Sequence, residues 1–539
     1  MSLAQFSIGA LVLLPLLGAA VSALLPPSAR RVLGPVAGVG VLVLTVPVAR
    51  TVATGQVVEV ALGGYGAPLG IMLRADGLSV LFLCLAGLVG LAVTCYAALV
   101  PKATGQRLTR HGHEDANPGY WPLWLGCWAG LNAVFVSGDL FNTYVGLELV
   151  ALSAVGLVAL GGRDAWAAAL RYLFVSVLGS LLFLVGVGLI VSATGTLDIG
   201  QAARVIVDHP ETHPAVVLAL ALLTVGLCLK VALVPLHRWL IPAHAGAPSA
   251  VSPVLSALVI KASLFVLLRC WMWLAAPGIF PAGAPGADGD PAALLPAQAI
   301  MVALAWLLGG LGALALVTGS VMALRQTRLK ELIAYSTVAQ AGYWFLFFPV
   351  AMGSLAHAMT DRGITTMPQD AVLAGALGGT LGLALGHGIA KAALFLAAGF
   401  LKDLYGTDEV SALRGSIRHH PTLIMAMGLA AVGLAGLPIS LAFSGKWLLA
   451  SSAVVSGHHW ILVAVVAGTL LSVAYVLRIL GPLLATGDDD ETPPGPPEPQ
   501  HAKPPWAAQL APLALGTLTI LAGFTGSWTA GVLEVGVPW

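Results

Sequence analysis

The sequence predicts an all-α polytopic membrane protein of about fourteen transmembrane helices, with two inverted five-helix repeats. Three observations predict it. Hydrophobic residues make up 58% of the 539 and charged residues only 9%, against roughly 25% charged in ordinary soluble domains. The apolar residues come in runs long enough for a spanning helix, which takes about 20 residues. Two of the runs are overlong, and each holds a proline near its middle together with one lysine. The alternating segments of a barrel, about 10 residues each, are not seen. In hydrocarbon every backbone amide needs an internal partner, so the runs should be helices.

The predicted spans are 6–25, 33–50, 77–99, 122–138, 140–160, 172–193, 215–245, 249–273, 298–320, 330–352, 373–401, 422–457, 459–484 and 507–530. The first lacks a basic leader and reads as a retained helix rather than a cleaved signal. The seventh contains Pro235 in "LKVALVPLHRWL" and the twelfth Pro438 in "GLAGLPISLAFSGKW". Proline removes one backbone bond and clashes with the preceding turn, so both helices should be broken. Broken helices at membrane depth line a polar path, because the freed backbone groups need partners. The two broken spans lie five helices apart, the mark of an inverted repeat covering helices 4–8 and 9–13. The chain divides accordingly. Residues 1–121 hold helices 1–3, 122–273 the first repeat and 274–484 the second. Residues 485–506 form a linker and 507–539 hold helix 14. The linker is acidic and proline-rich and should be disordered. The stretch 276–297 should be an external loop.

Orientation follows from the basic residues. Sixteen of them, from Arg30 and Arg31 through Lys102, Arg238, Arg328, Lys330 and Lys402 to Arg478 and Lys503, fall in one set of loops. Arg50, Arg74, Arg204 and Arg362 fall in the other. The richer set is expected in the cytoplasm, with both termini outside, in the inner (plasma) membrane of a prokaryote.

Composition also excludes functions. A net charge of +1 leaves no basic surface for nucleic acid. The five cysteines, Cys84, Cys95, Cys127, Cys228 and Cys270, form no CxxC pair, so neither a disulfide framework nor an iron–sulfur site is expected. There is no GxxxxGK[ST] loop for ATP and no dinucleotide fingerprint after a strand. No cofactor or metal is expected, and no redox or hydrolytic site of the chain's own. The 64 glycines read mostly as helix-packing contacts.

Chemistry concentrates in a few buried ionisable residues. Five basic residues fall inside spans: Lys230, Lys261, Arg269, Lys391 and Lys446. Arg269 lies near a helix end and is expected to snorkel. The four lysines lie near mid-helix, where a charged lysine costs about 2.5–3.5 kcal/mol on insertion scales. A lysine in low dielectric gives up its proton far more readily than one in water, so lysines with water make a relay. Glu148 is the acidic residue near the middle of a span. Beside a lysine both can be charged, and neutralising one releases the other. Lys230 is the expected partner. Asp139 reads as a capping or solvated residue. His387 and Lys391, four apart, share a helix face about 6 Å apart along the axis. Histidine titrates near neutrality, which suits a hand-off. His237 and His244 flank the first break. Their spacing of seven would suit a metal or haem on a straight helix, but the break spoils it. They read instead as a gate closing the cytoplasmic end of that helix. Polar groups at successive depths, which a simple transverse channel needs, are not visible, so the relay is expected to run sideways along the midplane.

These residues sit in stretches that resemble a known family. "GDLFNTYVGLELVALSAVGLVAL", "KVALVPLHRWLIPAHAGAPSAVSPVLSALVIKASLFVLLR", "RLKELIAYSTVAQAGY", "HGIAKAALFLAAGFL" and "GLAGLPISLAFSGKW" run in order from about 139 to 447. They resemble the antiporter-like subunits of respiratory complex I, of membrane-bound hydrogenases and of Mrp-type cation/proton antiporters. The resemblance implies that Glu148 is the fifth-helix glutamate and Lys230 its seventh-helix partner. It makes Lys261 the eighth-helix lysine, His387 and Lys391 the central relay, and Lys446 the terminal lysine. Ile241 and Pro242 depart from the Pro-Asp usual at that point. Leu383 stands where a second histidine often does, which shifts the relay toward water. The chain is too short for the long lateral helix of the largest complex I subunit, and a D-type Mrp subunit fits better.

The expected function is therefore a proton-translocating membrane subunit of a multisubunit Mrp-type Na+/proton antiporter. The alternative is a proton-pumping subunit of complex I (NADH-quinone oxidoreductase) or of a hydrogenase. Expected partners are other membrane subunits, protons, Na+ or another monovalent cation, and the lipid bilayer. A redox subunit binding quinone or haem would need histidines facing each other across helices. A stand-alone carrier would transport in isolation.

Overall fold

The computed structural model describes residues 2–68, 70–105, 117–280, 294–360, 369–485 and 505–538. The predicted linker lies almost wholly outside these residues, as does most of the predicted external loop.

Apolar runs become helices, and polar side chains at their ends start them. Ser2 caps α1 (Leu3–Leu24) through a reciprocal pair of bonds with Gln5. After α2 (Pro27–Ala53) comes a short antiparallel hairpin, β1 (Val58–Ala61) and β2 (Met72–Ala75), with Val58 opposite Ala75. Asp76 caps α3 (Gly77–Leu99), and Asp139 caps α5 (Leu140–Ala159) after α4 (Tyr120–Phe135). Next come α6 (Arg163–Thr194), the amphipathic α7 (Ile199–Asp208), α8 (His213–Val231) and α9 (Leu240–Gly246). Helices α10 (Ser252–Val254), α11 (Ile260–Leu268) and α12 (Ala276–Ile279) join through π turns at Leu255–Val259 and Arg269–Ala275 into one span. The second half contains α13 (Pro296–Leu324), α14 (Leu329–Phe345), α15 (Phe347–Thr360), α16 (Gln369–Tyr405), α17 (Pro421–Ala435), α18 (Leu441–Val455) and α19 (His459–Leu484). The chain closes with α20 (Leu510–Leu521) and α21 (Gly526–Leu533).

Among the described residues, twelve helical segments are long and apolar enough to cross a membrane. All fourteen predicted spans fall on helix. Two fall short of a full crossing run of about 20 residues: α4 has 16, and the α17–α18 pair has 15 in each half.

Both predicted breaks are present. Helix α8 stops at Val231, with Ala232 in the left-handed region at φ 62°. Helix α17 stops at Ala435, followed by Gly436 at φ 67° and Ile439 at φ 70°. Left-handed backbone costs a non-glycine residue roughly 1–2 kcal/mol, and Ile439 is β-branched as well. The freed carbonyls find side-chain donors. The Trp239 indole donates to Leu229 O at 2.9 Å, Lys446 Nζ to Ala435 O at 2.7 Å, and the Gln340 amide to Leu434 O at 3.1 Å. The two lysines differ in order: Lys230 precedes its proline and Lys446 follows its own.

Contacts define two ends. Lys102, Ala245, Gln326, Arg328, Lys402, Asp403, Glu409 and Arg478 are tied together at one end, called here the basic face. The hairpin marks the other. There Gln5 donates to Glu59 O, Gly77 N–H to Val535 O and the Trp273 indole to Gly536 O, so both ends of the described chain lie on the hairpin face.

Arg269 corrects one expectation. It does not snorkel: it is buried, and its guanidinium donates to both oxygens of Asp76, at 2.5 and 2.7 Å, and to Ser79 Oγ at 3.1 Å. Burial pushes the Asp76 carboxyl up, but Arg269, helped by Arg74, outweighs it and holds the carboxyl below its usual range. Arg269→Ala strands a buried carboxylate and is expected to cost about 3–5 kcal/mol. Because the carboxyl's pKa falls on folding, this contribution is full at neutral pH. It is lost only below the ordinary carboxylate range of about 4. Thermal unfolding of the detergent-purified protein at neutral pH checks it; an unchanged midpoint would contradict it.

Candidate functional site

The predicted residues gather in three clusters. The first lies between α5, α6 and α8. Gly179 and Gly226 bring α6 and α8 together, since a Cβ at Gly226 would stand 2.4 Å from Gly179 O. That approach sets Lys230 beside Ser176, to which its Nζ donates at 3.0 Å. Glu148 Oε1 lies 3.7 Å from Lys230 Nζ and accepts a hydrogen bond from Ser180. Ser176 and Ser180, one turn apart on α6, hold the two members of the pair. Glu148 stands at the flank, with 24% of its side chain exposed against 6% for Lys230. Asp139 caps α5 by accepting from Asn142 N–H at 2.6 Å.

The second cluster is fully enclosed. Lys261 and Lys391 are both 0% exposed. The π turn before Lys261 opens Ser256 O, which accepts from its Nζ at 2.6 Å. The same Nζ meets His387 Nδ1 at 2.5 Å and lies over the Trp344 ring. One turn along α16, Lys391 donates to Ser336 Oγ at 2.5 Å and to Ile333 O at 2.6 Å. His387 thus stands between two lysines, with Nε2 buried and unpartnered. A histidine in that position can take a proton at one nitrogen and release it from the other.

The third cluster surrounds Lys446, in the second turn of α18 just after the second break. Besides bonding Ala435 O, its Nζ lies 4.9 Å from the centre of the Tyr343 ring. A feature missed from sequence joins it to the second cluster. Ser336, Gln340 and Tyr343 share one face of α14, and Gln340 also donates to Tyr475 at 2.7 Å and Ser472 at 3.1 Å. Polar residues at i, i+4 and i+7 inside an apolar span were the available signal.

The hydrogen-bond partners found for Lys230 and for Lys261 share no residue. His237 is half-buried on the turn after Pro235, with Nδ1 unpartnered. His244 is fully buried, stacked on Phe395 of α16 at 4.6 Å, with both ring nitrogens unpartnered. Ile241 and Leu383, the two departures noted from sequence, are both buried apolar residues.

Known proteins resemble this chain along most of its length. The model of the family described as NADH:quinone oxidoreductase/Mrp antiporter matches residues 137–280, 293–364 and 371–472. NADH-quinone oxidoreductase subunit N of Desulforudis audaxviator is 31% identical over 504 residues, covering 92% of this chain and 90% of that one. The D-type subunit of the Na(+)/H(+) antiporter of Alkalihalophilus pseudofirmus is 28% identical, covering 84% and 81%. Among solved structures, a chain of the Mrp complex from Dietzia sp. DQ12-45-1b superposes with a TM-score of 0.80 at 23% identity, covering 100% of this chain and 98% of that one. A chain of respiratory complex I from Thermus thermophilus superposes at 0.70 with 24% identity, covering 98% and 100%. Both belong to multisubunit membrane complexes.

Proposed function

Because the chain belongs to the NADH:quinone oxidoreductase/Mrp antiporter family of membrane proteins, we propose that it is the proton-translocating subunit of a multisubunit Mrp-type Na+/proton antiporter. Protons travel through Glu148, Lys230, Lys261, His387, Lys391 and Lys446, bridged by water. The carrying observation is the enclosed Lys261–His387–Lys391 cluster, in which Lys261 touches His387 directly and Lys391, bonded to Ser336, stands one turn along the same helix. The D-type antiporter relatives and the fold shared with the Mrp complex support the assembly. The subunit N relative at 31% identity supports a second reading, a pumping subunit of a complex I-type assembly. Purification of the native complex separates them. Flavin and iron–sulfur subunits would select the redox pump. Several small membrane subunits without redox centres, with Na+-dependent proton flux in vesicles, would select the antiporter.

In this reading the chain crosses a prokaryotic plasma membrane fourteen times, with the basic face in the cytoplasm and both termini outside. The repeats cover 122–273 and 274–484, Pro235 and Pro438 supply the breaks, and His237 with His244 forms a gate. Protease added to sealed right-side-out vesicles is expected to leave the segment around Asp488–Lys503 intact. Cleavage there would invert the orientation.

A further inference from the structure

The structure places buried ionisable groups at successive depths between the second cluster and the basic face, where the sequence suggested none. They lie along α16. His387, Lys391, Phe395, Gly399 and Asp403 follow one another at intervals of four over about 24 Å, in a row that winds about 40° round the helix at each step. Helix α9 and the loop after it pack on this stripe. His244 stacks on Phe395, and Ser249 donates to Gly399 O at 3.3 Å. The missing side chain at Gly399 permits this approach, since a Cβ there would stand 2.6 Å from Ser249 Cβ.

Lys330 belongs to the same group. Counted from sequence as a loop lysine, it is 1% exposed in the first turn of α14, and its Nζ donates to Ala247 O at 2.7 Å. It lies within electrostatic reach of His244 on one side and of Asp403 on the other. His244 is in turn within reach of Lys391 and Lys261. Asp403 keeps one carboxylate oxygen buried and without a protein partner. At its outer side stand the more exposed Lys102 and Lys402. Buried polar atoms without protein partners are where internal water is held. Here they form a series: Asp403 Oδ2, both nitrogens of His244, and His387 Nε2.

We propose that Asp403, Lys330 and His244 form the port through which protons pass between the basic face and the Lys261–His387–Lys391 cluster. The port rests on the proton-carrying reading above. Asp403 is the exchange group at the mouth, and Lys330 and His244 carry the proton inward through bridging water. Every transfer moves one proton between a carboxylate, an amine, an imidazole and water, so no other reactant is needed.

The test uses the assembled complex in inverted vesicles, with the basic face outward, at low buffer concentration. Asp403→Asn is expected to slow proton flux about 100-fold, the low end for loss of one proton-transfer group. Asp403→Glu is expected to stay near the parent rate. Adding the membrane-impermeant buffer MES outside should restore most of the flux of Asp403→Asn, because a mobile acid replaces the lost exchange group. Flux in Glu148→Gln should remain lost at any buffer concentration. A parent-like rate in Asp403→Asn overturns the port. So does a loss that neither MES nor glutamate restores, since Asp403 is then structural. Normal flux in Glu148→Gln would instead overturn the proton-carrying reading itself.

Discussion

Glu148→Gln is expected to abolish proton-coupled transport while leaving the complex assembled, and Lys230→Ala to do the same. At 3.7 Å the two charges interact by about 4 kcal/mol at the effective dielectric suited to protein sites. Moving one charge through 100 mV takes about 2.3 kcal/mol. Neutralising one member therefore changes the proton affinity of the other by enough to work against a membrane potential. Glutamine keeps the shape and can still accept from Ser180, but it removes the charge. Alanine at 230 leaves Glu148 with Ser180 alone. The measurement is proton flux in vesicles, with assembly checked by co-purification. Normal coupled flux in either assembled mutant would remove the switch.

Lys391→Ala carries the second large effect. Lys391 stands one turn from His387 and donates to Ser336, the first member of the α14 stripe that leads through Gln340 to Tyr343 and Lys446. In the proposed path it is thus the junction of three routes: toward Lys261, toward Lys446 and, through His244, toward the basic face. Alanine removes the ammonium and leaves Ser336 and Ile333 O facing a gap. The expected loss of flux is about 100-fold or more, the usual scale for removing a proton-transfer group from a dry site. Transport at the parent rate in an assembled Lys391→Ala complex would mean that protons do not run laterally through this cluster.

The second cluster is largely legible in the sequence, because a lysine in the middle of an apolar run is conspicuous whatever surrounds it. The Glu148–Lys230 pairing is legible through the same rarity of charge: few residues can neutralise a mid-membrane lysine. Lys330 and Asp403 escape a sequence reading because they lie at helix ends, where sequence alone gives a solvated lysine and a buried one the same appearance. Arg269 escapes for that reason too. Its partner Asp76 is 193 positions away.

Hydropathy and proline by themselves determined the helical membrane fold, the positions of the two breaks and the ionisable residues held at mid-depth. Each of these is a local matter: the cost of an amide, a missing N–H or a charge in hydrocarbon depends on the residue and its own segment. The tertiary structure alone decided what those groups touch. It gave Ser256 O to Lys261 through a π turn and gave Ala435 O to Lys446 across the second break. It packed α9 on α16, so that His244 lies against Phe395, within the proposed stepwise route from Lys391 to Asp403. Those contacts join residues on different helices. Which helix faces meet is set by close approaches such as Gly179 on Gly226 and Ser249 on Gly399, which no periodicity within a single span records.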